Sequence, residues 1–110
     1  MRSLIALALC LAATPAVADF LTGNDLQATC PAKAGSDAHG VCRGYAMAIA
    51  DMLSLISQDF PNGRVCIPEG VQSAQAVAVI SKFLNDHPER LHQPATWLLW
   101  DAFKAAFPCK

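Results

Sequence analysis

Five cysteines, three histidines and scattered carboxylates are the residues of this 110-residue chain that could do chemistry. A cysteine nucleophile is the first arrangement to test, and it needs a free thiol beside a base. Cys10 lies in an apolar N-terminal stretch. The other four, Cys30, Cys42, Cys66 and Cys109, form an even set that can pair with itself and leave no thiolate. Zinc fares no better. There is no Cys-x-x-Cys, and His87 and His92 stand five apart across Pro88, so they cannot share one helix face. They read as capping or hydrogen-bonding groups at a helix junction. Asp51 is flanked by apolar residues and reads as an exposed carboxylate, with a buried, hydrogen-bonded role as the alternative. The chain has no Gly-x-Ser-x-Gly elbow, glycine-rich phosphate loop or paired-carboxylate cleft. The expectation is a protein without catalytic residues, cofactor or metal, whose cysteines are structural.

The N-terminus supplies the compartment for such cysteines. Met1-Arg2-Ser3, an apolar run from Leu4 to Ala13 and Ala16-Val17-Ala18 are the parts of a secretory signal peptide cleaved after Ala18. The run is shorter than the roughly 20 apolar residues of a membrane span. Leu7-Ala8-Leu9-Cys10 resembles a lipidation site, but Leu9 is large where a small residue is expected. Cleavage leaves residues 19–110 as one small domain bound for an oxidising compartment, where disulfides persist. It also removes Arg2, leaving seven Lys and Arg against nine Asp and Glu. That balance argues against nucleic acid or an anionic membrane as partner, since both are bound through clustered positive charge. A domain this size buries only about 60–65% of its unfolded surface and gains from cross-links.

The elements that position the cysteines follow from hydrophobic period. Thr22 reads as the cap of a short first helix, with Asp25 in its first turn, Leu26 and Cys30 on one face and Pro31 ending it. Asp37 reads as the cap of a second helix running from His39 to about Ser57, with the stripe Val41, Cys42, Tyr45, Ile49, Met52, Leu53 and Ile56. Gly44 within it suggests a neighbour that needs close approach. Phe60-Pro61-Asn62-Gly63 is a turn. A third helix, capped by Ser73, carries Ala76, Val77, Ile80, Phe83 and Leu84; strand is the competing reading because several of its residues are β-branched. His87-Pro88 ends it. A fourth helix begins between Glu89 and Pro94 and runs to Phe107, with Ala95, Leu98, Leu99, Ala102, Phe103 and Ala106 inward. The fold class is all-α, a bundle of about four helices.

Two antiparallel hairpins bring Cys30 beside Cys42 and Cys66 beside Cys109, and these are the expected bridges. The other two connectivities would drag helix ends across the domain, and sequence alone leaves them open. At 100° per residue Trp97 falls almost opposite the inward face of the last helix, beside Asp101 and Lys104, with Trp100 on the flank. Either the N-terminal segment or the loop around Phe60 covers this indole, or it meets a partner. The partner-binding candidates are Trp97, Trp100, Asp101 and Lys104, with the turn of Phe60, Asn62 and Arg64.

Five short stretches then combine: Gly23-Asn24-Asp25-Leu26 leading to Cys30; Cys42-Arg43-Gly44-Tyr45 with Asp51; Cys66-Ile67-Pro68-Glu69-Gly70-Val71 with Gln75; His87-Pro88-Glu89-Arg90-Leu91-His92 with Ala95; and Ala106-Phe107-Pro108-Cys109. Together they resemble the Tai/Rap family of type VI secretion immunity proteins over nearly the whole chain after residue 18. One departure is Gln72, where a threonine cap is expected. The resemblance implies a helical periplasmic homodimer that blocks the Cys/His active site of a peptidoglycan amidase toxin from a neighbouring cell. The matched positions are scaffold residues, so no inhibitory surface carries over. The alternative is a general periplasmic binding protein or an acid-stress chaperone of the HdeA type.

Overall fold

The computed structural model describes residues 20–57, 59, 62 and 64–110. The expected signal peptide and Phe60 lie outside them. Thr22 opens α1 (Gly23–Thr29) through a reciprocal capping box. Its hydroxyl accepts from the Asp25 N–H, and the Asp25 carboxylate accepts from the Thr22 N–H at 2.8 Å. The Thr22 backbone N–H, and then its hydroxyl, hold the Asp25 carboxyl below its ordinary value of 3.8. A depressed carboxyl stabilises the fold above its unfolded pKa and loses that contribution as pH falls through its folded pKa. Asp25→Asn is therefore expected to lower the melting temperature at neutral pH, with the gap to wild type closing below pH 3.8; thermal melts across an acid series check this.

Helix α2 (Asp37–Ile56) is capped by Ser36, whose hydroxyl accepts from the His39 N–H, while Asp37, expected as the cap, sits in the first turn. There its charge faces the positive end of the helix dipole. The buried line of α2 is Cys42, Ala46, Ile49 and Leu53. Val41 and Met52, expected inside, are exposed. Their size favours the interior, but they lie to one side of the buried line. The helix instead buries the line through Ala46, whose small side chain lets a neighbouring helix approach.

After α2, the Ser57 hydroxyl accepts from the Val65 N–H at 2.9 Å and donates to the Leu53 carbonyl, pinning both ends of the connecting turn. Helix α3 (Ser73–Asp86) follows, a helix despite its β-branched residues, burying Ala76, Val77, Ile80 and Leu84. Ser73 does not cap it. Gln72 occupies the cap position without a side-chain bond, and the Ser73 hydroxyl accepts from Arg43 Nε at 2.8 Å, tying α3 to α2.

A 3-10 turn at Pro88–Arg90 leads to α4 (Ala95–Ala106). Pro94 offers no side-chain cap, and the Leu21 carbonyl accepts from the Ala95 N–H instead. The segment before α1 thus docks on the start of α4. Ala95, Leu98, Leu99, Ala102 and Phe103 are buried, whereas Ala106, expected with them, is exposed at the last turn. Among the described residues there are four α-helices and no strand, only isolated bridges at Thr22 with Pro94 and Val65 with Pro108.

The expected cysteine pairs form, Cys30–Cys42 and Cys66–Cys109, with Cα atoms 5.0 and 5.1 Å apart. The second closes the α3–α4 hairpin where the Cys66 N–H also donates to the Phe107 carbonyl. The close approach expected at Gly44 is absent, since a Cβ there would meet nothing within 4 Å. Gly23 is the glycine that needs the room.

Candidate partner-binding surface

The four cysteines of the described chain are all in disulfides, so none of them offers a thiolate. Asp51 is exposed. The outer face of α4 carries the most exposed aromatic side chain of that helix, Trp97.

Helical spacing sets Trp97 and Trp100 one turn apart, and their rings stack with centroids 6.4 Å apart and planes 15° from parallel. Trp97 is 62% exposed. The N-terminal segment does not cover it. That segment bonds to the chain at Leu91, Gln93, Pro94 and Ala95, just upstream. Asp101, one turn on from Trp97, accepts from Arg90 Nη2 at 2.6 Å, and Arg90 Nε donates to Gln93 Oε1 at 3.0 Å. The guanidinium also lies over the Phe83 ring, 5.6 Å from its centroid, a cation–π geometry. Phe83 in turn packs against the His87 ring at 4.4 Å. Three neighbours thus fix one arginine, which costs little entropy to present to a partner.

His87, at the C-cap of α3, completes the row with a contact from Nδ1 to Glu89 Oε1 at 3.2 Å. The Glu89 carboxyl is held below its ordinary value, first by its own backbone N–H and then by His87. His87 therefore does the junction work expected of it.

Below this row lies a shallow groove of about 330 Å³ between α3 and α4. Ala102, Ala105 and Ala106 line its α4 side, and Val79, Phe83 and His87 face them from α3. Lys82 and Asp86 pair at its edge. Sequence reasoning missed Arg90 and the groove. The signal was present as the small residues Ala102, Ala105 and Ala106 opposite an aromatic, but small residues read as core when their cover is unknown.

The structure brings Trp97, Trp100 and Asp101 together by contact or helical neighbourhood, with Lys104 exposed one turn beyond Trp100. Asn62 and Arg64 are exposed beside the Val65–Pro108 bridge, at the opposite end of α4. From Trp97 to Pro108 is about 16 Å along a helix axis. The turn and the tryptophans are therefore separate places.

The model of the Rap1a immunity proteins matches residues 22–109, from the α1 cap to the last cysteine. The chain belongs to the Rap1a immunity protein family. No curated protein and no solved structure matches it. Its family membership makes a toxin effector the partner class for this Rap1a-family protein. Its two disulfides suit a secreted or periplasmic setting. No described helix is long and apolar enough to cross a membrane.

Proposed function

We propose that this Rap1a-family protein works in the periplasm, after loss of residues 1–18, as a steric inhibitor of a peptidoglycan amidase effector of type VI secretion. The outer face of α4 is its inhibitory surface. The observation that carries the reading is the exposed Trp97, stacked on the half-buried Trp100 beside the Arg90–Asp101 bridge, within a family of immunity proteins. Aromatic and arginine side chains held rigid beforehand are the usual anchors of a protein interface. Lys104 extends the same face, and the groove beneath Phe83 can receive an apolar side chain of the effector.

Binding of the purified protein to amidase effectors encoded beside it, measured by calorimetry, tests the assignment. Trp97→Ala with Trp100→Ala is expected to weaken binding about thirtyfold or more, matching a hot-spot loss of about 2 kcal/mol. Trp97→Ala alone should weaken binding in the same direction with the helical circular dichroism of wild type, since Trp97 lies outside the core whereas Trp100 packs against it. Equal affinity of variant and wild type would move the inhibitory surface elsewhere, and absence of binding to every such amidase would remove the reading.

A further inference from the structure

Beside its buried line, helix α2 has a flank that faces a cavity. Met47, Ala50, Asp51 and Ser54 recur at steps of three, one and three, which sets them on one face of the helix. Ile67 and Val71, in the irregular segment before α3, line the cavity across from them, and the fully buried Phe103 of α4 lies at its bottom. The volume is about 240 Å³. That is below the roughly 300–1,000 Å³ of a cofactor or drug-sized site, and suits a single long side chain. The walls are apolar, but the mouth carries charge. Asp51 is the one charged residue among the described lining; it is exposed, and its carboxylate makes no hydrogen bond or ion pair with any described residue. The Ser54 hydroxyl donates to the Ala50 carbonyl at 2.9 Å, so its lone pairs stay open to a donor. Glu69 stands exposed on the opposite segment. Arg43, the one lysine or arginine of α2, is held through Nε by the Ser73 hydroxyl, about 12 Å along the axis from Asp51.

We infer that this cavity receives an arginine side chain of a protein partner. The aliphatic stem lies along Met47, Ile67 and Val71, and the guanidinium meets the Asp51 carboxylate with the Ser54 hydroxyl as a second acceptor. A cation on an apolar stem matches apolar walls with one unpaired carboxylate at their rim. Arginine fits better than lysine, because its planar fork meets a carboxylate through two parallel bonds and sheds its water more readily than an ammonium. Charge count then decides between a free ligand and a residue within a chain. Free arginine brings an ammonium and a carboxylate, and agmatine a second ammonium, for which the lining holds no counter-charge. Arginine inside a polypeptide carries one charge, which Asp51 matches. Neither Trp97 nor Arg90 takes part, so the inference stands apart from the amidase reading.

Titration of the protein lacking residues 1–18 with the blocked tripeptide acetyl-Gly-Arg-Gly-amide, followed residue by residue in nitrogen–proton NMR spectra, tests it. Saturable shifts are expected at Ala50, Asp51, Ile67 and Val71, with a dissociation constant of about 1–10 mM, the range open to one side chain. Asp51→Asn should weaken binding about fivefold or more. Asp37→Asn removes the same charge about 21 Å away on α2 and should leave the affinity unchanged. The lysine tripeptide should bind more weakly than the arginine one, and the neutral citrulline tripeptide more weakly still. Absence of saturable shifts at those positions, citrulline bound as well as arginine, or an unchanged affinity in Asp51→Asn would overturn the assignment. So would free arginine binding more tightly than the tripeptide, which makes the ligand a metabolite, or a glutamate tripeptide binding in preference, which makes it an anion at the start of α3.

Discussion

Alanine in place of Gly23 is expected to destabilise the protein by about 2–3 kcal/mol, the upper range for overpacking a filled site. A Cβ at Gly23 would fall 2.4 Å from Leu98 Cδ1, 2.9 Å from the Leu91 carbonyl oxygen and 3.0 Å from Leu91 Cα. Leu98 is fully buried in α4 and has little room to turn. The Leu91 backbone is no freer, because its carbonyl accepts from the Asn24 N–H at 2.9 Å and the Gln93 carbonyl accepts from the Gly23 N–H at 3.1 Å. Relief would have to pull α1 off the turn that leads into α4, breaking the bonds that hold the N-terminal segment. Gly44→Ala supplies the contrast. It sits in an exposed helix interior with open space around it, so the same change should stabilise the protein by about 0.5–1 kcal/mol. Urea unfolding at low protein concentration reads both, and a neutral Gly23→Ala would contradict the packing at the α1–α4 junction.

Replacing Cys66 and Cys109 together by serine is expected to cost about 4 kcal/mol, from the chain entropy that a loop of 43 residues regains when its bridge is lost. The Cys30–Cys42 bridge closes only 12 residues, and its loss should cost about 3 kcal/mol. Either is a large share of the 5–15 kcal/mol that stabilises most domains. The longer bridge has a local role too, since it fixes the Val65–Pro108 pairing and the bond from the Cys66 N–H to the Phe107 carbonyl. Without it the last turn of α4 and the segment before α3 should exchange amide hydrogens faster than the α2 core. Equal losses of stability for the two double-serine variants would count against this ordering.

The two bridges were legible in the sequence because adjacent helices joined by short turns leave few places for a cysteine to go. The outward aim of Trp97 was legible for a similar reason, as rotation by 100° per residue needs no knowledge of neighbours. What could not be read depended on chain segments far apart in sequence. Gly23 needs its missing side chain because of Leu91 and Leu98, some 70 residues on. Arg90 gains its place from Phe83 and Asp101, which lie on different helices. Val41 and Met52 are large and apolar, yet the helix buries Cys42, Ala46, Ile49 and Leu53, a choice set by the neighbouring helices and not by side-chain size. Ser73 had the type of a cap residue, but Arg43 draws on its hydroxyl, a contact across two helices that local pattern cannot show.

Titration of a neighbouring peptidoglycan amidase effector with this protein, following cleavage of peptidoglycan fragments, tests the inhibitory role most directly. Hydrolysis is expected to fall in proportion to added protein and to stop near equivalence, with the Trp97→Ala and Trp100→Ala double variant requiring a clear excess. Undiminished hydrolysis in the presence of excess wild-type protein would contradict it.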